Sequence, residues 1–202
     1  MTAKQKLEKI IFHPATTTML ICGMIAFLIY VVQDINLFKQ TISQAGYDHR
    51  VAFFFWVFTL DLIFLINIKK LNRISGVNSK AVEILSWIGF GFFLSTGIHN
   101  WHGAEYEVAG MFLHTIPAVI FACSMLTCFG LIAFSYYKIG ESCPTRNWIV
   151  SVSMFIPVIL AGMMIWPSAL FEMLPFVLFM VWVLVFIYIQ IPLEKSQVKV
   201  EK

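Results

Sequence analysis

Six long apolar blocks leave this chain little choice of fold. They fall at about 16–32, 51–68, 81–98, 109–137, 147–166 and 169–191. A bilayer's hydrocarbon layer is roughly 30 Å thick and takes about 20 helical residues to cross, with ~17–25 tolerated. Each block is long enough. Lipid offers the backbone no hydrogen bonds, so an open chain crosses it as helices that satisfy their own amides. The blocks do not alternate polar with apolar residues, which argues against a barrel. A soluble reading would require six buried helices with almost no polar face, more than 202 residues can cover. Only 12% of the residues are charged, against about 25% in an average soluble domain. The expectation is an all-α fold. It is one polytopic domain over residues 1–202, a bundle of six transmembrane helices.

Lysine and arginine orient it. Lys4, Lys6 and Lys9 precede the first block; Lys69, Lys70, Arg73 and Lys80 separate the second from the third. Lys138 and Arg146 lie between the fourth and fifth, and Lys195, Lys199 and Lys202 follow the sixth. Twelve of fourteen basic residues thus fall on one side, leaving Lys39 and Arg50 on the other. The positive-inside rule then places both termini in the cytoplasm. Trp87 and Trp148 fall at inner ends and Trp101 and Trp166 at outer ends, as an interfacial belt requires. The basic start followed by an apolar run resembles a signal peptide. No small-residue cleavage site follows, so it reads as a retained first helix. The short chain and its lack of sorting tails point to a bacterial inner membrane. No loop is long enough to hold an added soluble domain.

Several functions are disfavoured at this level. No basic cluster is interleaved with exposed aromatics, which argues against nucleic acid as a partner. No lysine lies within a block, so a retinal Schiff base is excluded. Facing midplane histidines for a b-type diheme bundle are missing, as is a GxSxG nucleophile motif. Cys22, Cys123 and Cys128 lie in apolar segments without a CxxC pair and read as buried small hydrophobes. The two halves of the chain show no repeat, against a secondary transporter. Pro117, Pro157 and Pro175 can bend the last three helices. Gly91 and Ser95 form a small-xxx-small pair suited to close helix approach.

The chemistry gathers on the side poor in basic residues. "STGIHNWHGAEYEVAGMFLHTIPA" (95–118) holds His99, His102 and His114 with Glu105 and Glu107 between them. Asp48 and His49 end the first outer loop, and Glu172 begins the sixth helix. The candidate ligand-binding set is therefore His114, Glu172, His49, Asp48 and Trp101. His99 and His102, three apart, are the candidate metal ligands, and imidazole with carboxylate suits zinc. A solvated polar loop explains the same spacing. His114 sits about one turn into the fourth helix, where it is either a general base or head-group anchor, or an interfacial histidine bonded to backbone. Asp61 lies near the middle of the second block, where a carboxylate costs about 2.5–3.5 kcal/mol to insert. It is expected to be neutral and bonded to a hydroxyl such as Ser124 or Thr127, fixing helix packing; a proton relay is the alternative.

Three stretches resemble the DRAM family of six-helix membrane proteins (damage-regulated autophagy modulators) and related bacterial six-helix proteins. "TISQAGYDHRVAFFFW" is similar to the family's ISxxG ending of the first outer loop, at Ile42, Ser43 and Gly46. "HTIPAVIFA" resembles its histidine, small residue and aromatic on the fourth helix, at His114, Ala118 and Phe121. "FEMLPFVLFMVW" resembles the acidic start and tryptophan of the last helix, at Glu172 and Trp182. Gln44 departs from the acidic residue common after that serine, and a proline usual in the loop is missing. The resemblance implies a six-helix bundle with cytoplasmic termini and contact with membrane lipids.

Three functions follow as expectations. The first is a non-enzymatic bundle that binds or organises a lipid or other apolar ligand near the outer leaflet, alone, as a homo-oligomer or with a membrane-protein partner. The second is a metal-assisted lipid hydrolase using the outer histidines. The third is a small proton- or ion-coupled transporter using Asp61 and the outer acids.

Overall fold

The structure is a computed structural model that describes residues 3–33, 36, 41–99, 112–139, 173–174, 176–177, 181 and 184–190. Regular structure among these residues is helical throughout: α1 (Ala3–Ile11), α2 (Pro14–Val32), α3 (Ile42–Asp48), α4 (Arg50–Ile74), α5 (Lys80–Ile98) and α6 (Ile116–Ile139). A π-helical turn spans Phe186–Gln190. Among the described residues, four helices are long and apolar enough to cross a membrane: α2, α4, α5 and Phe112–Ile132, which contains the first part of α6. They match the first four apolar blocks. The block at 147–166 lies outside the described residues, and the block at 169–191 is described only in part.

Two further helices sit where loops were expected. α1 occupies the basic start of the chain. α3 fills the second half of the loop between α2 and α4, and its origin is local. Thr41 Oγ1 accepts the Gln44 amide at 3.1 Å, while Gln44 Oε1 accepts the Thr41 amide at 3.0 Å. This is a capping box, which needs Ser or Thr followed three residues later by Glu or Gln. Gln44 thus closes the box without a charge. α2 starts just as locally: His13 Nδ1 accepts the Ala15 amide, and Pro14 occupies the first helical position, where its missing N–H is harmless.

α4 is the axis of the bundle. It packs against α2 on one side and α5 on the other, and α6 packs against α5. Val57, Leu60, Ile63, Ile68 and Leu71 on α4 are at most 1% exposed. A stack of rings joins the helices in one layer: Phe93 of α5 lies 4.1 Å from Phe121 of α6, and Phe64 of α4 meets Phe121 edge-on at 5.4 Å. Phe176, from the last block, packs against Phe64, Phe93, Phe121 and Trp56. The outward faces are as apolar as the core. Met19 is 75% exposed, Val51 72% and Ile84 61%. Water would not tolerate large side chains spread this way, whereas acyl chains would. Cys22 and Cys123 share those outward faces, so only Cys128 is the buried small hydrophobe expected of all three.

Close approach falls at glycines other than the expected pair. Gly91 faces open space. At Gly97 a Cβ would meet Val57 Cβ and Cγ1 at 3.0 Å, and at Gly89 it would meet Met125 Cε at 2.6 Å and Ser124 Cβ at 3.3 Å. These two glycines, eight residues apart on α5, set its distance from α4 and α6. Val57 is β-branched and cannot swing aside, so Gly97→Ala is expected to destabilise the bundle by about 1–2 kcal/mol through overpacking. Gly91→Ala is expected to be neutral or mildly stabilising, because it only adds helix propensity. Unfolding midpoints of the purified protein in detergent check the contrast.

One end of the bundle is basic. There the last turns of α4 place each cation over a ring: Lys69 over Trp87 at 4.2 Å, Lys70 over Tyr188 at 4.1 Å and Arg73 over Phe12 at 5.0 Å. The turn from α4 to α5 is held by Asn72, which is 1% exposed. Its Nδ2 donates to the Ser79 carbonyl at 3.0 Å, and its Oδ1 accepts the Ser79 amide at 2.9 Å. Gly76 (φ 80°) and Asn78 (φ 45°) supply the left-handed backbone that the turn requires.

Candidate functional site

The opposite end carries His49, His99 and His114, and a proline builds the site. Pro117 has no N–H, so the Leu113 carbonyl four residues earlier loses its helical donor. The chain answers with a π-wound turn at 112–115 ahead of α6, a distortion that recurs at functional positions. The last turn of α5 supplies a donor to this carbonyl and another to the next. Ser95 Oγ donates to the Leu113 carbonyl at 3.2 Å, and Thr96 Oγ1 donates to the His114 carbonyl at 3.3 Å. His114 returns the bond: its Nδ1 lies 2.9 Å from the Thr96 carbonyl. A carbonyl only accepts, so Nδ1 carries the proton of this contact. The ring also hydrogen-bonds the backbone of His99. His114 is 7% exposed and stacks on Phe53 at 6.5 Å.

Beside His114 lies a cavity of about 110 Å³. Its walls are Ile42, Phe53, Trp56, Val57, Phe93, Ala118 and Phe176; its polar edge is Ser43, Thr96 and His114. α3, α4, α5, α6 and the last block all contribute to it. The capping box at Thr41 therefore has a purpose in space, since it fixes the short helix that brings Ile42 and Ser43 to the wall. For scale, an engineered apolar cavity of ~150 Å³ stays dry and admits benzene. The chemistry on offer is apolar accommodation with a narrow hydrogen-bonding rim.

The structure unites some expected site residues and separates others. His99 joins His114, with its own Nδ1 donating to the Ser95 carbonyl at 3.0 Å. His49 is half-buried against Tyr30 at 5.0 Å, one helical turn before Phe53, and does not line the cavity. Asp48 is exposed at the end of α3. Trp101, His102, Glu105, Glu107 and Glu172 lie outside the described residues. Among those described, no group of three or more His, Cys, Asp or Glu is placed to hold a metal ion.

Asp61 is fully buried on α4 and does not line the cavity. The expected bond to Ser124 or Thr127 is not made. Thr127 is exposed and donates to its own Cys123 carbonyl at 2.8 Å. Ser124 faces Gly89 instead. Neither carboxyl oxygen of Asp61 has a hydrogen-bond partner among the described residues. Ser95, Thr96 and Trp56 are site residues that sequence reasoning passed over. Pro117 was the available signal, because it fixes which carbonyl must find an outside donor.

No family model, no curated protein and no solved structure matches the chain. The functional reading therefore rests on the site's own geometry.

Proposed function

We propose that the chain is a multi-pass membrane protein that binds or organises a lipid or other apolar ligand at its histidine end, in the outer leaflet. The observation that carries this is the cavity beside His114, walled by aromatic and aliphatic side chains and rimmed by one buried imidazole and two hydroxyls. Ligand sites are mostly apolar, with few polar groups that fix orientation. At about 110 Å³ the cavity holds part of a ligand, such as the end of an acyl chain or a small ring. The rest of the molecule would lie against the bundle among lipid. The six-span topology, the cytoplasmic termini and the likeness to DRAM proteins are consistent with this reading and remain part of the proposal.

Native mass spectrometry of protein purified in mild detergent tests it. A bound lipid or apolar molecule is expected at defined stoichiometry. Ala118→Phe adds a ring at the cavity wall and is expected to lower occupancy at least tenfold while the protein keeps its fold. Loss of that fraction in Ala118→Phe supports the site. Unchanged occupancy, or ligand-free wild type, defeats it.

A further inference from the structure

α1 lies at the basic end, remote from the histidine site. Its apolar residues Ala3, Leu7, Ile10 and Ile11 recur at helical spacing, interleaved with Lys4, Lys6 and Lys9. Ile11 is half-buried, yet Ile10 is 63% exposed, and Lys6 and Lys9 are exposed beside it. The helix therefore turns one apolar edge to the protein and another to the surroundings. Polar contacts with α2 and α4 hold it in place, among them the bond from Thr16 Oγ1 to the Ile10 carbonyl at 2.6 Å. Glu8 pairs with Arg73 of α4 at 3.3 Å, and Lys70 Nζ donates to the Phe12 carbonyl at 3.0 Å. These contacts join α1 to the same turns of α4 whose cations cap Phe12, Trp87 and Tyr188, of which the tryptophan and tyrosine favour a membrane–water boundary.

We propose that α1 is an interfacial helix that docks on an anionic lipid surface at the basic end of the bundle. The inference rests on α2 and α4 spanning a membrane, but not on the ligand at the histidine end. Ile10 enters the head-group boundary, while Lys6 and Lys9 meet lipid phosphates. This is the arrangement of amphipathic helices that lie in the plane of a bilayer. Charge selects the occupant. Exposed lysines beside an exposed isoleucine match an anionic leaflet, and the positive-inside rule names the cytoplasmic one. A basic residue near such a surface contributes about 1 kcal/mol. Glu8 is the exception among the charges, and it is turned to Arg73 rather than left to repel phosphate.

Full-length protein in nanodiscs of phosphatidylcholine, with and without phosphatidylglycerol, provides the test. Amide hydrogen exchange of residues 3–11 is expected to be roughly thirtyfold slower with phosphatidylglycerol, as two lysines would give. The double variant Lys6→Gln/Lys9→Gln is expected to remove that difference, and Ile10→Ser to speed exchange in both lipids. Exchange that ignores lipid charge, or that responds to Glu8→Gln alone, would overturn the proposal and leave α1 as a strap held only by α2 and α4. Ligand occupancy at the histidine end, read in the same samples, separates this outcome from failure of the cavity reading.

Discussion

Removing the two hydroxyls at the end of α5, as Ser95→Ala with Thr96→Val, is expected to cost about 2–4 kcal/mol of stability. The Leu113 carbonyl has already lost its helical donor to Pro117, and the His114 carbonyl lies in the π-wound turn. Ser95 and Thr96 donate to both. Without them the Leu113 carbonyl loses its outside donor in an apolar setting, where an unsatisfied group costs about 1–3 kcal/mol, and the His114 carbonyl loses the Thr96 bond. Single hydrogen bonds between membrane helices average less, about 0.6 kcal/mol, because the reference state finds other partners. A buried carbonyl with no spare donor falls at the high end of that range. Thr96→Ser keeps the donor and should lose little. Denaturant titration in mixed micelles reads the difference. A double variant within about 0.5 kcal/mol of wild type would show that water or another donor reaches these carbonyls. The same variant should also lower ligand occupancy, because His114 is held by the Thr96 carbonyl and its own turn by the Thr96 hydroxyl.

The helical class and the first four spans were legible because each block carries its own signal. Length and continuous hydropathy need no knowledge of neighbours, and α2, α4 and α5 begin within about two residues of the expected positions. Capping chemistry was also legible in principle: Thr41 and Gln44 stand at capping-box spacing. The close-contact glycines were not legible. Gly89, Gly91 and Gly97 share one helix, and which of them meets a neighbour depends on how α5 is rotated against α4 and α6. Asp61 shows the same limit. Its burial follows from sequence position, but its hydrogen-bonding state depends on the rotation of α6, which turns Thr127 outward. His114 was singled out by its depth, and its backbone bond is the one the interfacial reading expects. It bonds backbone carbonyls and rims a cavity. His49 and Asp48, close to it in topology, diverge because α3 and the first turn of α4 turn them toward Tyr30 and away from the protein.

Asn72→Asp is expected to be as damaging as the loss of both hydroxyls, although it changes one atom. Asn72 offers one donor and one acceptor to the two backbone groups of Ser79, and its side chain is buried while both bonds are partly so. An ionised carboxylate keeps the acceptor that meets the Ser79 amide. It replaces the donor with a second acceptor facing the Ser79 carbonyl, so a bond becomes a repulsion. Ser79 also caps α5, its hydroxyl accepting the Val82 amide at 3.5 Å. Displacing Ser79 therefore frays the start of α5 as well. Losing a buried hydrogen bond and gaining a buried unpaired charge together cost about 2–4 kcal/mol. Acid should reverse part of the loss, since the protonated carboxyl can again donate to the Ser79 carbonyl. Stability of Asn72→Asp is thus expected to rise as pH falls, relative to wild type under the same conditions. Asn72→Ala removes both groups and is expected to lose stability without that differential response. A variant whose deficit is the same at neutral and acid pH would show that the turn is held by Gly76 and Asn78 geometry alone, with the Asn72 side chain incidental to it.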